Sequence, residues 1–347
     1  MSAQVSDLNV DFNVPLPAPA LLMHEMPRTE DEAAVVLNGR KRIEDILHGK
    51  SDRFLVIVGP CSIHDPKIGI DYATKLSKLR DEVGDKIELV MRVYFEKPRT
   101  NVGWKGLIMD PDMDDSANLP KGLRIARQLL EDVLDLGVPT ATEFLDPITP
   151  QYIGDLICWA AIGARTVESQ THRQMASGLS MPVGMKNTTY GGMSAVVNAL
   201  KASIAPQTFF GISPEGVASM VKTKGNAFCH TVLRGGEDGP NYDEESIAKV
   251  SKQLKKHDVL GSIIVDASHA NCSKKHEKMP GVFEAIAAQR IAGNRDVVGA
   301  MLESNLVAGN QKVSSDLSAL TYGQSVTDPC IDWETTERII KETADKL

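Results

Sequence analysis

Cysteine is scarce in this chain, and what there is cannot pair off. Five cysteines in 347 residues, Cys61, Cys158, Cys229, Cys272 and Cys330, are odd in number, far apart and without a CxxC pair. That excludes a disulfide framework and predicts a reducing cytoplasm. Long apolar runs are missing too: no stretch approaches the roughly 20 residues needed to span a bilayer. The N-terminal MSAQVSDLNVDFN has no basic region leading into an apolar core, so it does not read as a signal peptide. Positive charge is in the minority, 38 Lys and Arg against 46 Asp and Glu for a net charge of -8. No basic stripe dominates, which argues against a nucleic-acid partner. Local positive charge should therefore belong to a pocket.

What the sequence does contain is rhythm. Residues 1 to about 28 carry Pro15, Pro17, Pro19 and Pro27, which forbid a long helix, and 10–14 is read as an edge strand. A helix over 30–48 follows, with Thr29 and Glu32 at capping-box spacing. Apolar, strand-like runs then recur at 54–58, 87–94, 140–145, 164–168, 183–187, 228–233, 262–268 and 297–303. Helical spacing separates them, including a helix expected over 150–161 and a last one over 333–345 capped by Asp332. The sixth interval is longer, and 208–212 with 217–223 reads as an inserted hairpin. Strands buried on both faces and alternating with helices about eight times predict an α/β protein, a (β/α)8 TIM barrel, with an open doubly wound sheet as the competitor. The expected division is an arm with the start of the first helix over 1–38, and a barrel over 39–347 carrying a regulatory hairpin at about 205–225.

Nearly every strand stops on a charged or metal-capable residue. In order these are Cys61, Arg92 with Lys97 and Arg99, Glu143, Arg165, Lys186, Arg234, His269 and Glu303. In a barrel they would share one mouth. Burying several cations without an anion costs several kcal/mol each, roughly, so a polyanionic substrate is the simplest counter-ion. Cys61, His269, Glu303 and the acid of Thr327-Asp328-Pro329 form a second group. A thiolate, an imidazole and two carboxylates suit a divalent transition ion. By spacing alone, a core cysteine and a capping aspartate explain that group equally well.

The motifs GPCSIHDP (59–66), MRVYFEKPRT (91–100) with VGWKG, IGARTVESQTHR (162–173), PVGMKN (182–187), LRGG (233–236), DASHAN (266–271), LESN and SVTDPCIDW (325–333) closely resemble type I 3-deoxy-D-arabino-heptulosonate 7-phosphate (DAHP) synthases. The resemblance runs from about residue 40 onward. It implies a barrel that condenses phosphoenolpyruvate with erythrose 4-phosphate at the head of aromatic amino acid biosynthesis. Carried over by motif, Cys61, His269, Glu303 and Asp328 would hold a divalent metal, Mn, Fe, Co or Zn. Arg165, Arg234 and the Ala164 backbone would take the phosphoenolpyruvate phosphate. Arg92 and Lys186, with Lys97 close by, would take its carboxylate, and Arg99 and Thr100 the phosphate of erythrose 4-phosphate.

Within that resemblance Lys97, with a depressed pKa, is the candidate proton donor and Glu143 the group that positions water. His172 is kept among the catalytic candidates, and His64 lies near the proposed metal group. Pro147, Ile148, Gln151 and Ser180, with the hairpin and the arm, resemble the family's effector pocket. Proline at 147 points to tyrosine rather than phenylalanine as the aromatic effector. A homodimer or homotetramer is implied. The chain departs from the family pattern at Thr188-Thr189-Tyr190-Gly191 and in MDDSANLP. A synthase using a five-carbon sugar phosphate, or a non-catalytic phosphosugar sensor, are the competing readings.

Overall fold

The computed structural model describes residues 5–99, 103–314 and 316–347. Thr100, assigned above to a phosphate, lies outside the described residues. In chain order the elements begin with α1 (Pro19–Glu25), α2 (Glu30–Leu47), β1 (Phe54–Gly59), α3 (Pro66–Val83), β2 (Ile87–Arg92), α4 (Leu119–Asp135), β3 (Thr140–Glu143), α5 (Pro150–Ile153) and β4 (Trp159–Ile162). They continue with α6 (Gln170–Ala176), β5 (Val183–Lys186), α7 (Ser194–Ile204), β6 (Thr208–Ile212), β7 (Ala218–Lys222), β8 (Cys229–Leu233), α8 (Glu244–Lys256), β9 (Ile263–Asp266) and α9 (Met279–Ile291). The chain ends with β10 (Val297–Glu303), β11 (Val307–Asn310), β12 (Gln324–Ser325) and α10 (Trp333–Ala344).

Eight of the strands close into a barrel in the order β1-β10-β9-β8-β5-β4-β3-β2, every neighbour parallel. Each barrel strand is buried along its whole length. Helices cover the outside and side chains fill the inside, which is why the runs are continuously apolar rather than alternating. The helix starts follow the residues that mark them. Thr29 and Glu32 close a reciprocal capping box at α2, and Asp332 accepts from the Thr335 amide at α10.

Two expectations fail, for different reasons. The fourth strand is not 164–168 but Trp159–Ile162, and the expected helix over 150–161 shrinks to the single turn of α5. Alanines at 160 and 161 favour helix by propensity, but a strand facing the large side chains of the barrel needs small residues, and burial decides. The Trp159 indole fills the space and donates to His230 Nε2 at 3.0 Å. Ala164 and Arg165 therefore stand on the loop beyond the strand. The edge strand over 10–14 does not form: Val10, Phe12 and Val14 are exposed in irregular chain, because no ladder partner lies beside them among the described residues.

The hairpin forms as expected from β6 and β7, antiparallel, with Phe210 opposite Met220. The segment before α2 leans on it, on α4 and on α5. The Ala20 amide donates to the Pro214 carbonyl at 2.8 Å, the Tyr152 hydroxyl to the Pro17 carbonyl at 2.7 Å, and Arg127 Nε to the Met26 carbonyl at 2.9 Å. No helix among the described residues is long and apolar enough to cross a membrane.

Candidate active site

The strand ends do meet. A cavity of about 570 Å³ opens at the C-terminal end of the barrel, and Arg92, Lys97, Arg99, Glu143, Ala164, Arg165, Lys186, Arg234, His269, Glu303 and Asp328 all line it. Parallel strands that stop at one level bring together residues far apart in sequence. Two glycines let the backbone come close enough. A Cβ at Gly106 would collide with the Phe95 carbonyl oxygen, and one at Gly163 with the Glu143 carboxylate. The Lys97 amide donates to the Lys105 carbonyl at 2.9 Å, which ties those two ends of the basic stretch together.

On one side of the mouth, single donor atoms of Cys61, Glu303 and Asp328 lie within 4.8 Å of one another. His269 stands beside them, its Nε2 3.7 Å from Glu303 Oε1. Cys61 is fully buried, and burial, with Glu303 adding to it, pushes the thiol up to about 11. A buried thiol facing two carboxylates is unfavourable unless a cation joins them, so the donor set fits a divalent transition ion. Lys97 Nζ supplies some positive charge, 3.1 Å from Cys61 Sγ and 3.0 Å from its carbonyl.

The other side is basic. Arg92 is fully buried, donating to Glu303 at 3.1 Å and to the Pro60 carbonyl at 3.3 Å, with its guanidinium 3.9 Å from the Tyr94 ring. Lys186 Nζ is 3.5 Å from Glu143 and 3.5 Å from Asp266. Burial by itself would raise Glu143, but Lys186 and Lys97 outweigh it and keep the carboxyl below its ordinary value. Burial lowers Arg234, and Arg165 beside it adds to that, as two cations sharing one space must. The Arg234 amide is tied to Asn187 Oδ1 at 2.8 Å. Such a grouping can hold a small molecule with several anionic oxygens next to a Lewis-acid centre.

Three assignments look different in the structure. Burial by itself would depress Lys97, but Cys61 and Glu303 more than offset it, so the ammonium is held above its ordinary range rather than below. His172 is not at the mouth. Its ring nitrogens lie 2.8 Å from Ser169 Oγ and 2.7 Å from the Leu145 carbonyl, which makes it a brace for the start of α6. The proposed effector residues divide as well. Pro147, Ile148 and Gln151 line a second cavity of about 430 Å³ with Phe209 and Val221 of the hairpin. Ser180 lies instead in a neighbouring cavity of about 340 Å³ that shares Gln151 and Leu179 with it.

Reading the strand ends also passed over Asp266. This aspartate ends β9 fully buried, 3.5 Å from Lys186 and 3.0 Å from His269. The signal was there, because Ile263-Ile264-Val265-Asp266 is an apolar run that stops on an acid. Tyr94, whose ring meets Arg92, Lys97 and Lys186, gave no such signal.

The family model described as the DAHP synthetase I family matches residues 26–341. A curated relative from Escherichia coli, "Phospho-2-dehydro-3-deoxyheptonate aldolase, Phe-sensitive", is 48% identical over 347 residues, covering 100% of this chain and 99% of its own. The "Tyr-sensitive" protein of the same species is 48% identical over 327 residues, covering 94% of this chain and 92% of its own. A solved structure of "Phospho-2-dehydro-3-deoxyheptonate aldolase from Francisella tularensis" superposes with a TM-score of 0.95 at 46% identity, covering 97% of this chain and 98% of that one. With a family model matched along nearly all its length and relatives this similar, the chain belongs to the DAHP synthetase I family.

Proposed function

We propose that the mouth condenses phosphoenolpyruvate with erythrose 4-phosphate to DAHP and inorganic phosphate, in aromatic amino acid biosynthesis. The chain is an enzyme of that family, and one observation carries the residue roles: six basic side chains, an imidazole and the Glu303 and Asp328 carboxylates border a single cavity, with the buried Cys61 thiol clustered against those two carboxylates. Arg165 and Arg234 take the phosphoenolpyruvate phosphate, Arg92 and Lys186 its carboxylate, and Arg99 the phosphate of the sugar. Held this way, C3 of the enol faces the aldehyde carbon at bonding range. Cys61, His269, Glu303 and Asp328 would hold a divalent metal, which supplies Lewis-acid polarisation of the aldehyde when bound.

C3 attacks the aldehyde and the new carbon–carbon bond leaves an alkoxide, toward which Lys97 presents a charged ammonium. Positive character at C2 is met by water, for which the ionised Glu143 is the acceptor at the cavity wall. The hemiketal phosphate then loses phosphate by carbon–oxygen cleavage, and the departing anion is neutralised by Arg165 and Arg234. The second cavity is read as the site of an aromatic amino acid effector, tyrosine by the proline at 147. Exposed apolar residues of the hairpin, Phe210 and Met220, and of the arm, Leu8 and Phe12, support a homodimer or homotetramer.

The deciding experiment follows phosphoenolpyruvate consumption with and without erythrose 4-phosphate, after chelation and after adding metal back. Consumption should need both the aldehyde and the metal, and arabinose 5-phosphate should not replace the four-carbon sugar. Equal turnover with the five-carbon sugar, or turnover indifferent to chelation, would overturn the reading. A Lys97→Met variant with normal turnover would remove Lys97 from it.

A further inference from the structure

We propose that Asp266 is a positioning residue that couples the two halves of the mouth, orienting His269 on the metal side and holding Lys186 on the side of the phosphoenolpyruvate carboxylate. This rests on the function proposed above. The carboxylate is fully buried at the end of β9. One oxygen, Oδ1, accepts from the Ser268 amide at 3.0 Å, which pins the group to the backbone. The other, Oδ2, faces His269 Nδ1 at 3.0 Å and Lys186 Nζ at 3.5 Å. A single oxygen atom therefore lies within ion-pair distance of both the imidazole and the ammonium.

Each contact has a consequence. His269 has φ of 58°, in the left-handed region where histidine is enriched, and Asp266 on one side and Glu303 on the other face its two ring nitrogens. With Nδ1 turned toward Asp266, Nε2 is left toward Glu303, which belongs to the donor cluster with Cys61 and Asp328. A carboxylate behind a ligating histidine fixes the tautomer and strengthens the ligand. Lys186 is held between Asp266 and Glu143 at equal distances of 3.5 Å. Without Asp266 the ammonium has one anchor and swings toward Glu143, away from the position where it meets a carboxylate from solvent.

Glu143 gives the control, because it pairs with Lys186, and among the described residues no ion pair joins it to His269. The variants Asp266→Asn and Glu143→Gln are compared with wild type in two measurements that do not depend on turnover by the loaded enzyme. The first is Co²⁺ affinity, by competition with a chelator and by the thiolate-to-cobalt absorption band. The second is phosphoenolpyruvate binding by titration, with the Michaelis constants of both substrates alongside. D266N should lose about 10- to 100-fold in Co²⁺ affinity, while the absorption band persists at saturating metal because Cys61 remains. It should also weaken phosphoenolpyruvate about tenfold and erythrose 4-phosphate little. E143Q should weaken phosphoenolpyruvate and leave Co²⁺ affinity unchanged.

D266N with wild-type Co²⁺ affinity overturns the proposal, and so does equal loss for both substrates, the mark of a merely structural role. Should D266N fail to accumulate, Asp266→Glu is read in the same way: it keeps the charge, displaces it by one methylene, and must shift both measurements in the same direction to sustain the coupling. A wild-type protein that shows no thiolate–cobalt band sinks the metal reading and this proposal together. A normal band in wild type with an unchanged D266N sinks this proposal alone.

Discussion

At the scale of single residues, Glu96 shows how much an unremarked side chain can matter. It precedes Lys97 and is 3% exposed, and its carboxyl accepts from the Leu145 amide at 3.3 Å, the Asp146 amide at 3.2 Å and the Thr149 hydroxyl at 3.1 Å. The turn that borders the second cavity is thereby fastened to the root of the basic loop. Burial pushes the carboxyl up to about 8, helped by Asp146 and held back by the three donors. In the unfolded chain it titrates near its ordinary 4.5, whereas the folded protein keeps the proton until about 8. Between those values the unfolded state binds fewer protons, so stability falls as pH rises and levels off above the folded value. Urea unfolding at pH 5.5 and pH 8 should show wild type losing on the order of 2 kcal/mol more than Glu96→Gln. Parallel profiles would remove Glu96 as the cause. Arg92, Lys186 and Glu303 could be read from the sequence because each interrupts an apolar run. Glu96 could not, because it sits among other charges and only the fold buries it.

At the scale of elements, periodicity located the strands it could distinguish by length and branching, and failed where composition misled. Phe54–Gly59 is β-branched and continuous, so its assignment is secure, whereas Trp159–Ile162 carries two alanines and reads as helix until Trp159 and His230 are seen packed across the barrel. The two short strands β11 and β12 have only two paired positions and leave no pattern. The hairpin was legible from its turn, Ser213-Pro214-Glu215-Gly216, with Gly216 at φ of 78°. Its alternation has a use: Phe209 and Val221 line the second cavity, while Phe210, 98% exposed, stands at its rim and Met220 is exposed. An effector bound there touches the hairpin, α6 and the turn after β3 at once. Tyrosine should therefore inhibit the condensation, and Phe209→Ala should weaken that inhibition about tenfold, by loss of an aromatic contact, with the Michaelis constants of both substrates unchanged. Inhibition by phenylalanine alone would overturn the choice of effector. Undiminished tyrosine inhibition in the variant would move the effector to another cavity.

At the scale of the whole molecule, the net charge of -8 and the basic mouth are two sides of one arrangement. Acidic groups are spread over the surface, while Arg92, Lys97, Arg99, Arg165, Lys186 and Arg234 face one cavity. That concentration raises the energy of the empty site, since burial, with Arg165 adding to it, disfavours the charge on Arg234. An anion that fills the mouth relieves this, and a ligand that binds only the folded state stabilises it by about 2.7 kcal/mol at a hundredfold excess over its dissociation constant. Phosphoenolpyruvate with metal should therefore raise the melting temperature by a few degrees, and sodium chloride of equal ionic strength should not. Screening within the partly open mouth should shrink the increment as salt rises toward 1 M, where the Debye length is about 3 Å. The double variant Arg165→Ala/Arg234→Ala should lose most of the increment, because it removes two of the six cations that face the cavity. A double variant that keeps the full increment would show that the anion is held elsewhere, and the account of the mouth as a site built for anions would fail.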